Sequence, residues 1–125
     1  MALRFVLTAA SAEFPSSAFP QLAISNTSER RLALAFDAST QETCAWTVAI
    51  PAGWSGTAVA TVSYAMASAT TGGVAFEVLL ECLTSGDATD TDATTSYASA
   101  NLGTDASVPG TAGYMEQIAI SLTND

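Results

Sequence analysis

Lysine and histidine are both missing from this 125-residue chain, and its cations are Arg4, Arg30 and Arg31 against twelve carboxylates, for a net charge of −9. Without histidine, no Ser-His or Cys-His nucleophile pair and no histidine-ligated metal can be assembled, which removes most hydrolase mechanisms. A surface this acidic repels phosphate backbones and anionic lipid alike, so neither nucleic acid nor a membrane is expected as a partner. Cysteine is scarce too. Cys44 and Cys82 have neither the spacing of a metal site nor the density of a disulfide scaffold. Each falls on the apolar face of an expected strand, so a buried free thiol is the default, with a disulfide open if the two strands face each other. No segment approaches the roughly 20 apolar residues that span a bilayer. Arg4 precedes a short apolar stretch and Ala10-Ser11-Ala12 mimics a signal-peptidase site, but the stretch is shorter than the usual h-region of about 7–15 residues and reads as a strand.

About half of the chain is Ala, Thr, Ser or Gly. These residues offer little apolar area against a backbone ordering cost of roughly 1–2 kcal/mol each. Length predicts a single domain over residues 1–125, and composition predicts that its core is thin, so that association with neighbours would help stabilise it.

Strand-like stretches recur between clusters of Pro, Gly, Ser, Asn and Asp, and no window holds a sustained helical period. Leu3, Phe5 and Leu7 alternate with Arg4, Val6 and Thr8 as a first strand before Pro15 and Pro20. Leu32, Leu34 and Phe36 form the inward set of a strand after the Asn26 to Arg30 turn, and Asp37 to Thr40 turns the chain again. Cys44, Trp46, Val48 and Ile50 share one face of the next expected strand, with Trp46 in the core, ending at Pro51-Ala52-Gly53. Ala58, Ala60, Val62, Tyr64 and Met66 repeat the period of two. Val74, Phe76, Val78, Leu80 and Cys82 then oppose Ala75, Glu77, Leu79 and Glu81, an amphipathic strand with one face to the core. Weaker strand material runs from Tyr97 to Val108, and Tyr114, Glu116, Ile118, Ile120 and Leu122 share a face after the Pro109 to Gly113 turn. Seven or eight short strands of this kind predict an all-β fold, an antiparallel two-sheet β-sandwich of jelly-roll type. Asn124-Asp125 is turn chemistry with no strand after it, which suggests a last strand that is missing or donated by a neighbour, with a flexible tail as the ordinary alternative.

Candidate chemistry is sparse. Glu77 and Glu81 share a strand face, but four residues of strand separate them by about 13 Å, beyond the roughly 5–9.5 Å of glycosidase carboxylate pairs, so a solvated outer face is expected. Asp87, Asp90 and Asp92 make an acidic loop that lacks the Gly and the distal Glu of a calcium-binding EF-hand loop, and a solvated loop is the simpler reading. Gly72-Gly73 has no lysine to complete a phosphate cradle. No catalytic residue, metal site or cofactor is therefore expected. Two aromatics remain as contact or glycan-stacking candidates: Trp54, in a Pro-Ala-Gly-Trp-Ser-Gly turn, and Tyr97, in a weak strand.

The run Leu34-Ala35-Phe36-Asp37-Ala38-Ser39-Thr40-Gln41-Glu42, then Trp46, then Ile50-Pro51-Ala52-Gly53-Trp54, resembles a domain of tailed-phage virion genes with an aliphatic-Phe-Asp-x-x-Thr-x-Glu run, an aromatic strand and a Pro-Ala turn. The similarity continues through Tyr64 to Val74 and from Gly113-Tyr114 to Leu122-Thr123-Asn124, covering most of the chain from about Leu32 onward. It implies a β-sandwich component of a phage particle, in a capsid decoration, head-fibre or tail-associated role, and it supplies no catalytic residue. Members of that group commonly continue past the position of Asn124-Asp125 into a further Gly-Asp turn and an Arg-containing strand, which this sequence lacks. The expectation is accordingly a non-enzymatic virion protein, located in the virion, forming a homo-oligomer such as a trimer and seated on capsid or tail proteins. A carbohydrate-binding β-sandwich module using Trp54 and Tyr97, with Asp90 and Asp92 as a conceivable Ca²⁺ site, is the main alternative. An adhesin or pilin-like subunit completed by a donor strand is another.

Overall fold

The computed structural model describes residues 3–26, 28–88 and 96–124. The fold is all-β, as the period-two patterning predicts: six strands and one 3₁₀ turn, Ala9–Ser11, occur among the described residues, and every ladder is antiparallel. The strands are β1 (Gln21–Asn26), β2 (Arg31–Ala35), β3 (Ala58–Ala65), β4 (Val74–Val78), β5 (Asn101–Asp105) and β6 (Met115–Leu122). They pair as three two-stranded ladders, β1–β2, β3–β6 and β4–β5. The chain divides into two compact units, Met1–Trp54 and Ser55–Asp125.

In the first unit, β1 and β2 form a hairpin in which Leu22 lies opposite Leu34 and Ile24 opposite Leu32, with a register shift between Ile24 and Asn26. The turn is built by the Asn26 side chain, whose Oδ1 accepts the backbone N–H of Ser28 at 2.9 Å and of Glu29 at 3.0 Å. After β2, Asp37 makes the expected turn, accepting both the backbone N–H and the hydroxyl of Ser39 at 2.6 Å. These bonds to the ionised carboxylate hold the Asp37 pKa below its usual value, the Ser39 hydroxyl contributing most. β1 itself is absent from the sequence reading, although Leu22 and Ile24 do alternate with Gln21, Ala23 and Ser25 just before Asn26.

Two expected strands of this unit do not form. Leu3 to Thr8 carries no ladder, and Leu3, Phe5, Val6 and Leu7 are exposed. The Cys44 to Ile50 stretch is reduced to one bridge, between Glu13 and Ala45, plus a bond from the Thr43 N–H to the Ala18 carbonyl. Alternation prepares a strand, but a strand exists only where a partner supplies the ladder bonds. Trp46, expected in the core, is half-buried; its indole N–H donates to the Thr8 carbonyl at 3.0 Å.

In the second unit the two ladders pack face to face. Ala58, Ala60, Val62 and Tyr64 point inward from β3, and Ile118 and Ile120 are buried on β6. Val74, Phe76 and Val78 face them from β4, opposite Asp105, Gly103 and Asn101 of β5. Ala75 and Glu77 point outward, as the amphipathic pattern predicts. Gly103 is required by the packing: a Cβ there would lie 2.4 Å from Ile120 Cγ1 and 2.9 Å from Ile118 Cγ2. This is sandwich packing of two ladders; the three two-stranded ladders among the described residues show no jelly-roll strand order. Strand β4 ends at Val78, earlier than expected, which leaves Cys82 exposed instead of buried, while Cys44 is half-buried; both thiols are free.

Candidate contact surfaces

Polar side chains pin both ends of the two-ladder packing. At one end Asn101, 4% exposed, accepts the backbone N–H groups of Thr123 and Asn124 through Oδ1 at 2.9 and 3.0 Å. Its amide nitrogen donates to the Asn124 and Val78 carbonyls at 3.0 and 3.3 Å. Asn124, expected only as a turn residue, returns a bond to the Ala100 carbonyl. All four hydrogen-bonding valences of the Asn101 amide are thereby used, which is what allows a polar side chain to sit in the interior.

At the other end the Tyr64 hydroxyl donates to Asp105 Oδ2 at 2.5 Å, and the Tyr64 ring packs on Phe76 with centroids 5.7 Å apart. Ionising the phenol would sacrifice that bond beside a carboxylate, so the Tyr64 pKa is pushed up to about 12. The same bond, helped by the Ser107 N–H, holds the Asp105 carboxyl below its usual value. Beside this pair lies an open groove of about 430 Å³ whose lining includes Asp105, Glu116, Gln117 and Ile118. Asp105 is committed to Tyr64 and Ser107, and Glu116 accepts the Gln117 N–H at 3.2 Å. The bonds at both ends tie β-ladders together, which is a structural task.

Of the remaining carboxylate candidates, Glu81 and Asp87 make local backbone bonds. Glu77 is exposed on the outer face, as expected. Glu81, expected to be solvated, is half-buried and accepts the Ser96 N–H at 2.6 Å. Asp87 closes a turn with Thr84, accepting its N–H at 2.8 Å. Asp90 and Asp92 lie outside the described residues.

Both aromatic candidates are accessible, Trp54 at 43% and Tyr97 at 47%. Trp54 is carried by a turn in which its N–H donates to the Pro51 carbonyl and Gly53 adopts φ +81°, a conformation that favours glycine. Trp54 belongs to the first unit and Tyr97 to the second.

A third surface, missed by sequence reasoning, is the broad face of the β1–β2 hairpin. Of Leu32, Leu34 and Phe36, all expected to point inward, Leu34 is half-buried but Leu32 and Phe36 are 49% and 47% exposed, and Leu22 and Ile24 on the same face are 51% and 50% exposed. On the opposite face Ala23 and Ala33 are half-buried, whereas Gln21, Ser25, Arg31 and Ala35 are exposed. A period of two cannot tell which face will be covered. Only the size asymmetry, large aliphatics on one side and alanines on the other, was visible beforehand.

Four apolar side chains, Pro20, Val108, Ile118 and Ile120, are buried among the described residues. No family model matches this chain, and comparison with curated proteins and with solved structures likewise returned no match.

Proposed function

We propose that this chain is a non-catalytic structural subunit of a phage virion, of the capsid decoration or head-fibre type, working through protein–protein contact. The observation that carries the reading is the display of large aliphatic side chains on a hairpin face beside a very small core. A chain with this little buried apolar area gains stability when a neighbour covers what it exposes. The carboxylates support the same reading, since Asp37, Glu81, Asp87 and Asp105 are each engaged in turn or ladder bonds. The virion setting comes from the sequence resemblance around Leu34 to Trp54.

Quantitative mass spectrometry of density-purified virions of the phage encoding this sequence tests it. A copy number in the tens or above, relative to the major capsid protein, is expected. Its absence from the purified particle would refute the virion assignment. Exposure of Trp54 on a turn keeps glycan binding as a second reading. Glycan-array binding that disappears in Trp54→Ala would favour it over the first.

A further inference from the structure

We infer that Val48 to Thr57 is a joint at which the first unit is separable: an endoproteinase that cuts after aromatic residues opens the chain first at Trp54, and Ser55–Asp125 keeps its fold once that bond is gone. Water adds across the Trp54–Ser55 amide, leaving a carboxylate on Trp54 and an ammonium on Ser55. The inference is independent of the virion reading. All ten residues of the stretch are exposed, and none takes part in a ladder. Its turn is closed locally, by the Trp54 N–H on the Pro51 carbonyl at 3.2 Å. Gly53 and Gly56 adopt φ +81° and +137°, and a Cβ placed on either would meet no atom within 4 Å. Backbone that is neither paired nor packed opens at little cost, and exposed loops of this kind are where nicking concentrates.

The two products are unequal. The bonds that hold the second unit have both partners inside it: β3 pairs with β6, β4 with β5, Tyr64 with Asp105, and Asn101 with Val78, Thr123 and Asn124. Two loop bonds of 2.8 Å, from the Val108 N–H to the Gly72 carbonyl and from the Gly113 N–H to the Met66 carbonyl, are internal as well. Val108, Ile118 and Ile120 supply its buried apolar side chains. The described residues of the first unit offer the β1–β2 hairpin, an isolated bridge between Glu13 and Ala45, and a single buried side chain, Pro20. A two-stranded hairpin is marginal in water by itself, whereas two ladders closing on one another bury a shared face. Cutting the joint therefore removes nothing that β3 to β6 depend on, and it leaves the first unit with little to hold it.

Limited digestion of the native full chain with chymotrypsin, read by intact mass and circular dichroism, tests the proposal. The first cut is expected after Trp54. The Ser55–Asp125 fragment should then keep its β signal and persist at least about tenfold longer than Met1–Trp54, which goes on to small peptides. Trp54→Gln removes the preferred side chain and should slow the appearance of that fragment at least about tenfold. Hydrogen exchange on the uncut chain reads the same asymmetry without a protease: amides of the β3–β6 ladder should exchange at least about tenfold more slowly than those of β1–β2. An undigested chain, a first cut elsewhere, or a Ser55–Asp125 fragment lost as fast as the first unit overturns the inference. Equal protection in the two ladders does so too.

Discussion

Replacing Gly103 by alanine is the sharpest single test of the packing in the second unit. The added Cβ would meet Ile120 Cγ1 at 2.4 Å, Ile120 Cδ1 at 2.7 Å and Ile118 Cγ2 at 2.9 Å. Ordinary carbon contact needs about 3.5–4.0 Å, so two side chains must retreat by roughly 1 Å. Ile120 is 2% exposed and Ile118 7% exposed, leaving no open solvent to retreat into. Overpacking of this kind costs about 1–3 kcal/mol. Against it, alanine restricts the unfolded chain at a position without positive φ, which stabilises by about 0.4–1 kcal/mol. The net expectation is a loss of about 1–2 kcal/mol. In urea unfolding followed by circular dichroism at fixed protein concentration, that lowers the midpoint by roughly 1 M for a slope near 1–1.5 kcal/mol/M. The partner variant sharpens the test. Ile120→Ala alone should cost about 2–5 kcal/mol, but it opens room for the methyl group that Gly103→Ala introduces, so the double variant should be less destabilised than the sum of the two. A neutral or stabilising Gly103→Ala, or strict additivity in the double variant, would refute the face-to-face packing of β5 on β6.

Three further outcomes follow from the polar pins and the thiols. Asn101→Ala removes the acceptor of the part-buried bonds from the Thr123 and Asn124 N–H groups and should destabilise the chain by about 1–2 kcal/mol, with faster amide exchange at those two residues detected by NMR. The Tyr64–Asp105 bond carries opposite pH signatures. Asp105, whose folded pKa is lowered, contributes stability that is present above its unfolded value near 4 and lost as pH falls through the folded value. Tyr64, raised to about 12, contributes stability that is fully present below its unfolded value near 10 and is lost as pH rises from there through about 12. Thermal melts of Tyr64→Phe should therefore lose the alkaline step seen in the wild type, and an unchanged profile between pH 10 and 12 would contradict the assignment. Finally, a thiol-titrating reagent should modify exposed Cys82 at least about tenfold faster than Cys44, whose pKa burial pushes up; equal rates would contradict the burial difference.

What the sequence determined by itself was the alphabet of the fold. Period-two alternation located β3, β4 and β6 and assigned their inward residues, because side chains on a strand alternate faces whatever the strand packs against. Local turn chemistry was equally legible: Asn26 and Asp37 fold their own neighbours through side-chain bonds spanning two or three residues, with no distant partner needed. Tertiary structure decided everything that depends on which segments meet. Leu3 to Thr8 and Cys44 to Ile50 alternate as well as β4 does, yet they find no ladder partner. β1 does, because the Asn26 turn lays it directly against β2. The glycine that admits Ile120, the buried Asn101 and the bond between Tyr64 and Asp105 each join residues from about 15 to 40 positions apart, a separation at which composition and spacing carry no signal. The outward turn of Leu32 and Phe36 has the same origin, since alternation says which residues share a face and only the neighbours say which face is covered.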